Sequence, residues 1–310
     1  MKIVALAGGV GGAKLAHGFS KILATEEFCV IVNTGDDFSH FGLVICPDID
    51  TVCYTLAEKS NHLTGWGRDN EQFTVFDTLK SYNAPDWFLL GDKDLALHLE
   101  RTRLISEGKT LTEVTAQFCG FLGVSHSVLP MTNDSVRTMV NTIEYNEIPF
   151  QDYFVKYKYQ PKTSGFRFDG IEEANPTLDV LSSLNNADLI VICPSNPFVS
   201  INPILSIHGI REIVKQKIVI GVSPIIGGRA VKGPLGLMLA DQDQPIHPKS
   251  IAAIYEDILN IFIIDHQDDW EIAPADPSSI IISKESILLP DLQSRINLAE
   301  KIINLYEKNK

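Results

Sequence analysis

Residues 3–14 of this 310-residue chain have the sequence IVALAGGVGGAK. The run at 3–7 is wholly apolar, which is typical of a strand buried on both faces of a parallel sheet. Apolar residues at helical spacing between 14 and 24 predict a helix, and the apolar run at 28–32 predicts a second strand. The chain therefore opens with a predicted strand–turn–helix–strand unit, a connection that is right-handed in almost all proteins.

The same apolar pattern returns in the second half of the chain. Each later run ends in polar or glycine-rich residues, and the carboxyl ends of parallel strands are where such sheets bind ligands. Between the two sets, apolar residues recur with helical periodicity and glycines mark the breaks. The further predicted strands are 136–143, 187–193, 217–222 and 261–264, and the predicted helices are 51–59, 71–79, 94–106, 111–122 and 292–305.

These elements predict an α/β fold, a Rossmann-like open and mainly parallel sheet with helices on both faces. No Pro-, Gly- or Ser-rich linker divides the chain. We therefore expect a single nucleotide-binding domain over residues 1–310, with a mainly helical insertion at about 51–175.

The composition excludes several functional classes. The chain has 26 Lys and Arg against 39 Asp and Glu, a formal net charge of −13, which argues against a non-specific nucleic-acid binder. No apolar run approaches the ~20 residues of a membrane-spanning helix, and no signal-peptide pattern opens the chain. The cysteines form no C-x-x-C pair, so we expect buried thiols, no zinc site and a cytoplasmic location; they are Cys29, Cys46, Cys53, Cys119 and Cys193.

Glycines dominate the turn after the first predicted strand. They let the backbone approach a phosphate closely, and the free amides of a helix N-terminus attract anions. The motif is neither G-x-x-x-x-G-K-[ST] nor G-x-G-x-x-G, so it does not name the ligand. A tight turn without a ligand is the alternative, but phosphate binding is the better prediction for Gly8, Gly9, Gly11, Gly12 and Lys14.

Four carboxylates follow the second predicted strand within fifteen residues. Asp36 and Asp37 end the motif NTGDD, and Asp48 and Asp50 lie in PDIDT. Taken alone, Asp50 would be read as a helix cap and Asp48 as solvated surface. Clustered carboxylates repel one another unless a cation joins them, and Mg²⁺ binds through one or two carboxylates plus phosphate oxygens. The cluster therefore predicts a magnesium site beside the phosphate loop.

Further polar loops follow other apolar runs. They are GDKD at 91–94, PMTND at 130–134, PSNP at 194–197 and GGRAVKGP at 227–234. Each can be a plain turn or a capped helix start, but the last two also lie at predicted strand ends, where ligands bind. The sequence has no G-x-S-x-G elbow and no H-E-x-x-H zinc helix.

Seven motifs in order, from Ile3 to about Asp269, resemble the 2-phospho-L-lactate transferase family of coenzyme F420 biosynthesis. They are GGVGGAK, NTGDD, PDIDT, GDKDLA, PMT, PSNP and SPIIGG. The resemblance implies that a GDP-linked three-carbon acid (phospholactate, phosphoenolpyruvate or phosphoglycerate) reacts with the deazaflavin Fo. The terminal hydroxyl of Fo attacks the distal phosphorus and GMP leaves, with Mg²⁺ as cofactor. Such chemistry requires positioning and charge neutralisation more than covalent help.

The resemblance also implies roles for single residues, and a homodimer. The segment Gly8–Lys14, with Ser195, Asn196, Gly228 and Lys232, is expected to hold guanosine and phosphates. Asp50 and Lys93 match positions that contact Fo, and Met131 and Thr132 are expected to line its pocket. Asp36, Asp37 and Asp48 are the expected metal ligands, and Asp50 or Asp36 the general base. The family usually has Asp where this chain has Asn133.

Two other functions compete with this interpretation. A related family with a Gly-Gly-x-Gly-Gly start consists of sugar-nucleotide-binding regulatory proteins without transferase activity, but lacks the NTGDD and PDIDT pattern. A dinucleotide-dependent oxidoreductase would need the spaced glycine fingerprint, which is missing.

Overall fold

A computed structural model of the protein describes residues 1–61, 65–270 and 280–310. Its central feature is a seven-stranded sheet in which every neighbouring pair of strands is parallel. Across the sheet the strands are β14 (Ile281–Glu285), β13 (Ile261–Asp265), β10 (Ile218–Val222), β9 (Leu189–Ile192), β1 (Ile3–Ala7), β2 (Phe28–Val32) and β5 (Ser127–Pro130). The strand order reverses between β1 and β9, so the crevice of an open α/β sheet lies at their carboxyl ends.

Helices cover both faces of this sheet, which confirms the predicted fold class. Side chains alternate along each strand, so Ala5 packs into one core and Val4 and Leu6 pack into the other. The helices are α1 (Gly9–Ser20), α2 (Pro47–Leu56), α3 (Thr74–Ser81), α4 (Asp92–Ser106), α5 (Leu111–Leu122), α6 (Leu178–Asn185), α7 (Asn202–Ser206), α8 (Ile210–Val214), α9 (Leu235–Asp241), α10 (Pro248–Ile254) and α11 (Leu292–Asn309). The first core holds residues of α1, α2, α5 and α11, and the second holds residues of α6 to α10.

The segment 51–175 is not mainly helical throughout, so that prediction is corrected. It is helical as far as Leu122, but β5 belongs to the central sheet and an antiparallel sheet follows. The strand predicted at 136–143 is confirmed as part of this antiparallel sheet. Its buried and partly exposed residues alternate, because only one face of the sheet is buried. The smaller sheets are β3 (Phe38–His40) with β4 (Leu43–Ile45), β6 (Arg137–Thr142) between β7 (Asn146–Pro149) and β8 (Thr163–Asp169), and β11 (Ile225–Ile226) with β12 (Arg229–Ala230).

Helix α1 begins at Gly9, earlier than the predicted Lys14, so the glycine motif forms the first turns of a helix rather than a loop. Gly8 is its extended N-cap residue, and Gly9 has a φ of +61°, a conformation that glycine adopts without steric cost. All five cysteines are buried and free, as predicted. None of the described helices is long and apolar enough to span a membrane.

Candidate active site

Four of the sequence motifs meet at the carboxyl ends of β1, β2 and β9. The Gly8 amide donates to Ser195 Oγ at 3.2 Å, and the Gly9 amide donates to Asp48 Oδ1 at 2.7 Å. Asn33 Nδ2 donates to Asp48 Oδ2 at 2.9 Å and to the Val199 carbonyl at 3.1 Å. The glycine turn and the acidic motifs therefore share one crevice, because the sheet topology places the ends of these strands side by side.

These contacts decide which backbone amides of the glycine motif are available to an anion. The first four amides of a helix, counted from its N-cap, have no partner within the helix. Here Gly8 and Gly9 are already bonded to Ser195 and Asp48, so only Val10 and Gly11 remain. The phosphate contacts of Gly8 and Gly9 stay a prediction, and in this structure both amides bond to protein oxygens.

Two glycines of the motif are required by close packing. A Cβ on Gly11 would collide with the carbonyl oxygen of Pro194, and one on Gly12 would lie 2.6 Å from Ser195 Oγ and 2.8 Å from Ala7 Cβ. Helix α1 therefore lies directly against the loop that follows β9. This packing holds the amides of the helix start in place, so Gly11 and Gly12 support the site through geometry.

Gly228 belongs to a turn whose conformation explains its presence. It joins β11 to β12 together with Gly227, and both have positive φ, +71° and +56°, as a two-residue hairpin turn requires. The Gly228 amide donates to Asp268 Oδ1 at 3.0 Å, so this amide is not available for phosphate. The chain after the hairpin brings Lys232 to the start of α1, where its Nζ lies beside Gly65.

The acidic residues are buried, so the alternative of Asp48 as solvated surface is wrong. Asp36, Asp37 and Asp48 are each about 5% exposed. Burial raises the pKa of Asp48 to about 6 and that of Asp37 to about 7. Burial, and then the neighbouring Asp48 charge, raise the pKa of Asp36 well above its usual range. Asp36 Oδ1 and Asp37 Oδ1 have no hydrogen-bond partner among the described residues, so both oxygens fit a ligand or a cation.

The three predicted metal ligands do not converge on one point. The charges of Asp48 and Asp37 both raise the pKa of Asp36, and Arg137 and Arg101 lower the pKa of Asp37. Over the described parts of the chain, the acidic and histidine groups whose ligand atoms lie within 4.8 Å of one another are Asp50, Asp94 and His98. Asp36, Asp37 and Asp48 do not form such a group, and their binding of a metal stays a prediction.

The trio of Asp50, Asp94 and His98 is already bridged by a positive side chain. Arg101 donates to both oxygens of Asp50, through Nη1 at 3.0 Å and through Nη2, and its Nη1 also lies 3.2 Å from His98 Nδ1. Arg101 is 1% exposed, and Asp94 accepts from the hydroxyl of Tyr54 at 2.7 Å. A cation at this trio would be repelled by the guanidinium, so we interpret it as a buried hydrogen-bond network.

Arg101 is the site residue that sequence reasoning missed. No motif in the sequence gives Arg101 a role, and Asp50 is expected to contact Fo or to act as the general base, with a helix cap as the alternative. In the structure α2 begins at Pro47, which puts Asp50 in the first helical turn, and α4 packs against β4 and α5. One signal in the sequence could have indicated that Arg101 is buried. The buried residues of α4 recur at intervals of three or four, as on the inward face of a helix, and they are Leu97, His98, Arg101 and Leu104.

The predicted acceptor contacts divide into accessible and buried residues. Lys93 is exposed at the start of α4, and its Nζ donates to the carbonyl of Asn70 at 2.5 Å. Met131 and Thr132 are 0% exposed, so neither reaches the surface in this structure, and their place in the Fo pocket stays a prediction. Met131 packs in the second core, and Thr132 Oγ1 donates to the Asn175 carbonyl at 2.6 Å.

Two asparagines have local structural roles. Asn196 Oδ1 accepts from the Phe198 amide at 2.9 Å and so caps the turn that begins at Pro197, while its Nδ2 contacts Met238 Sδ at 3.3 Å. Asn133 Oδ1 accepts from the amide and the hydroxyl of Thr112, both at 2.9 Å, at the start of α5. An amide oxygen is sufficient for that contact.

Comparison with known proteins gives the family. A family model described as 2-phospho-L-lactate transferase CofD matches residues 3–274. The chain is 38% identical over 302 residues to a phosphoenolpyruvate transferase of Thermobifida fusca, covering 94% of this chain and 92% of that one. It is 33% identical over 305 residues to a 2-phospho-L-lactate transferase of Methanosarcina acetivorans (98% and 99% covered), and 36% over 304 residues to one of Methanocaldococcus jannaschii (97% of each).

A solved structure shares the fold at much lower identity. A UPF0052 family protein from Bacillus halodurans superposes with a TM-score of 0.62 at 15% identity, covering 97% of this chain and 98% of that one. At this identity the likeness concerns the fold alone, whereas the family match and the curated relatives concern activity. The chain therefore belongs to the 2-phospho-L-lactate transferase CofD family, and it is a transferase of phospho-acid groups in coenzyme F420 biosynthesis.

Proposed function

We propose that this protein transfers a phospho-three-carbon-acid group from a GDP-linked donor to the deazaflavin Fo and releases GMP. The observation that carries the proposal is the contact between the start of α1, whose free amides can bind an anion, and the buried acidic pair of Asp36 and Asp48. Asp48 Oδ1 accepts from the Gly9 amide at 2.7 Å, and the next two amides of the same helix are available. A diphosphate at those amides would lie next to carboxylates that can gather a cation.

The acidic pair fits Mg²⁺, which we propose as the cofactor. Asp36 and Asp48 would hold it, since Asp36 Oδ1 is buried without a hydrogen-bond partner and each carboxylate has an oxygen lone pair to offer. When bound, the cation would neutralise the charge that develops on the diphosphate oxygens. The positive charges of Arg137 and Arg101 act on Asp37 and lower its pKa, so we do not include Asp37 among the proposed ligands.

The protein's own groups would position the two reactants. Val10 and Gly11 amides, with Lys14 and Lys232, would bind the donor phosphates. In the reaction the acceptor hydroxyl oxygen bonds to the distal phosphorus, the bond from that phosphorus to the bridging oxygen breaks, and GMP leaves with the bridging oxygen. Phosphoryl transfer of this kind depends mainly on orientation and charge stabilisation.

The geometry supports Asp36 over Asp50 as the group that accepts the hydroxyl proton. Both oxygens of Asp50 already accept hydrogen bonds from Arg101, so neither is left without a partner to receive a proton. Asp36 Oδ1 is buried and has no hydrogen-bond partner among the described residues; one oxygen of this carboxylate would hold the cation and the other would accept the proton. Asp50 then orients the acceptor through hydrogen bonds, and Lys93 at the exposed start of α4 supplies a positive group near it.

The test is turnover by the purified protein. Fo, Mg²⁺ and each of three GDP-linked donors (phospholactate, phosphoenolpyruvate and phosphoglycerate) are mixed with it, because the relatives are named for two different acids. GMP release and a deazaflavin of increased mass, measured by mass spectrometry, are expected with at least one donor. Asp48→Asn is expected to lower kcat by about 100-fold or more. The control, Asp169→Asn, changes an exposed carboxylate that pairs with Arg167 and should leave turnover unchanged.

The competing functions give different results in the same experiments. If the protein bound guanosine nucleotides and Fo but turned over none of the three donors, the result would favour a regulatory binding protein. Protection against unfolding by NAD(P)H, and not by GDP, would favour the oxidoreductase.

A further inference from the structure

Cationic side chains gather along one face of α1. Val10 and Lys14 lie four residues apart and therefore share a face of the helix. Lys232 reaches the same face, because a Cβ placed on Gly65 would lie 2.5 Å from Lys232 Nζ and 3.3 Å from Val10 Cγ1. The continuation of this face, toward His17 and Gly18, is covered by the C-terminal helix α11, which contributes Arg295.

The position of Arg295 is closely defined by its neighbours. Gly18 has no room for a Cβ, which would collide with the carbonyl oxygen of Arg295, so the two backbones are in direct contact. Arg295 Nη1 lies 2.9 Å from His17 Nδ1, and His17 Nε2 lies 3.4 Å from a Glu58 oxygen. Burial lowers the pKa of His17 to about 4, so the imidazole is neutral at pH 7 and its Nδ1 accepts from the guanidinium while its Nε2–H faces Glu58.

Neither Lys14 nor Arg295 forms an ion pair with any residue in 1–61, 65–270 or 280–310. Both are half-buried, and Arg295 Nε has no hydrogen-bond partner there. Burial lowers the pKa of Lys14, and the charges of Arg295 and Lys232 lower it further. Burial also lowers the pKa of Arg295, although the charges of Asp291 and Glu58 act in the opposite direction. In a chain with a net charge of −13, two half-buried cations that repel each other and form no ion pair are unfavourable unless an anion binds.

We propose that Arg295 is an anion-binding residue of the donor site and that, with Lys14 and Lys232, it binds phosphate oxygens of a diphosphate ligand. A guanidinium has five N–H donors in a fork that matches phosphate geometry, and His17 uses only one side of it. The proposal rests on the proposed function, because it extends the same phosphate site. Arg295 lies outside residues 3–274, the part of the chain that the family model matches.

The test compares ligand binding by variants of the full-length protein. Titration calorimetry measures the Kd of GDP and of inorganic pyrophosphate, and steady-state assays measure KM for the donor and for Fo. Loss of one charge-assisted contact in Arg295→Gln should weaken both ligands by about 10-fold or more. Arg295→Lys, which keeps the charge, should recover part of the affinity. The matched control is Lys301→Gln, which removes an exposed cation from the other face of α11 and should stay within twofold of the wild type.

Two further readouts separate binding from a structural role. Circular dichroism and thermal melting show whether each variant folds. If Arg295→Gln does not fold, the ligand affinities of Arg295→Lys are compared with those of the wild type instead. If Arg295 only packed α11 against α1, the KM for Fo would change together with the KM for the donor, and this result would overturn the proposal. Unchanged GDP and pyrophosphate affinities in a folded Arg295→Gln would also overturn it. A wild type that binds neither ligand would instead overturn the proposed function.

Discussion

Replacing Arg101 by methionine is expected to destabilise the protein strongly. Arg101 is 1% exposed and donates to both oxygens of Asp50, which is itself only 6% exposed. Its removal leaves a carboxylate buried without its partner, and breaking a buried ion pair in this way costs about 3–5 kcal/mol of the free energy of unfolding. The same substitution also removes the contact between the guanidinium and the Phe118 ring, 5.9 Å from its centroid.

Urea denaturation at pH 7, followed by circular dichroism, measures this loss. The matched control is Arg103→Met, on the same helix, where the arginine is 51% exposed and pairs with Glu100 and Glu107. Exposed pairs contribute about 0–1 kcal/mol, so this control should remain close to the wild type. The double variant Asp50→Asn/Arg101→Met no longer buries an unpaired charge, and it should recover about 2 kcal/mol or more relative to Arg101→Met.

Two results would refute this reasoning. If the free energy of unfolding of Arg101→Met lay within about 1 kcal/mol of that of Arg103→Met, the buried ion pair would not stabilise the fold. If the losses from Asp50→Asn and Arg101→Met were additive in the double variant, the two side chains would not be energetically coupled.

Two further predictions concern α1. Because the pKa of His17 is lowered to about 4 in the folded protein, its contribution to stability is present above the unfolded value of 6.5 and is lost as pH falls from 6.5 toward 4. The loss is about 3 kcal/mol at most, and His17→Gln should flatten this part of the stability–pH curve measured by urea denaturation; an equally steep curve would contradict it. Gly11→Ala should destabilise by about 1–3 kcal/mol in thermal melts, because its Cβ meets the Pro194 carbonyl. Gly120→Ala, in an open position on α5, should stabilise by about 0.5–1 kcal/mol, and equal effects of the two changes would refute the packing argument.

The local sequence is sufficient to predict the sheet and most helices. Apolar runs such as 3–7 and 28–32 are buried on both faces of the observed sheet, and α5 has the predicted bounds of 111 and 122. Burial on both faces removes the need for polar alternation, so such runs are visible without tertiary information. The antiparallel strands at 137–169 were harder to predict because their faces are only partly buried.

The acidic site could be located from the sequence, but its electrostatics could not. The motifs at Asp36 and Asp48 follow strand ends or lie close to them, and parallel strands bring their carboxyl ends to one edge. Their burial depends on the loops and helices that cover that edge. The same limit explains Met131 and Thr132, which follow a strand end as Asp36 does but are enclosed in the core.

The sequence by itself determined the βαβ start, the fold class and the motifs that identify the family, because strand burial and turn chemistry are local properties. Only the tertiary structure decided which of those motifs touch and which charges are paired. Gly9 meets Asp48 39 residues away, and Asp50 meets Arg101 51 residues away. Such partners are chosen by the strand order and by the packing of α4 against β4 and α5. A charge buried by packing must find its counter-charge among the side chains that the fold brings beside it.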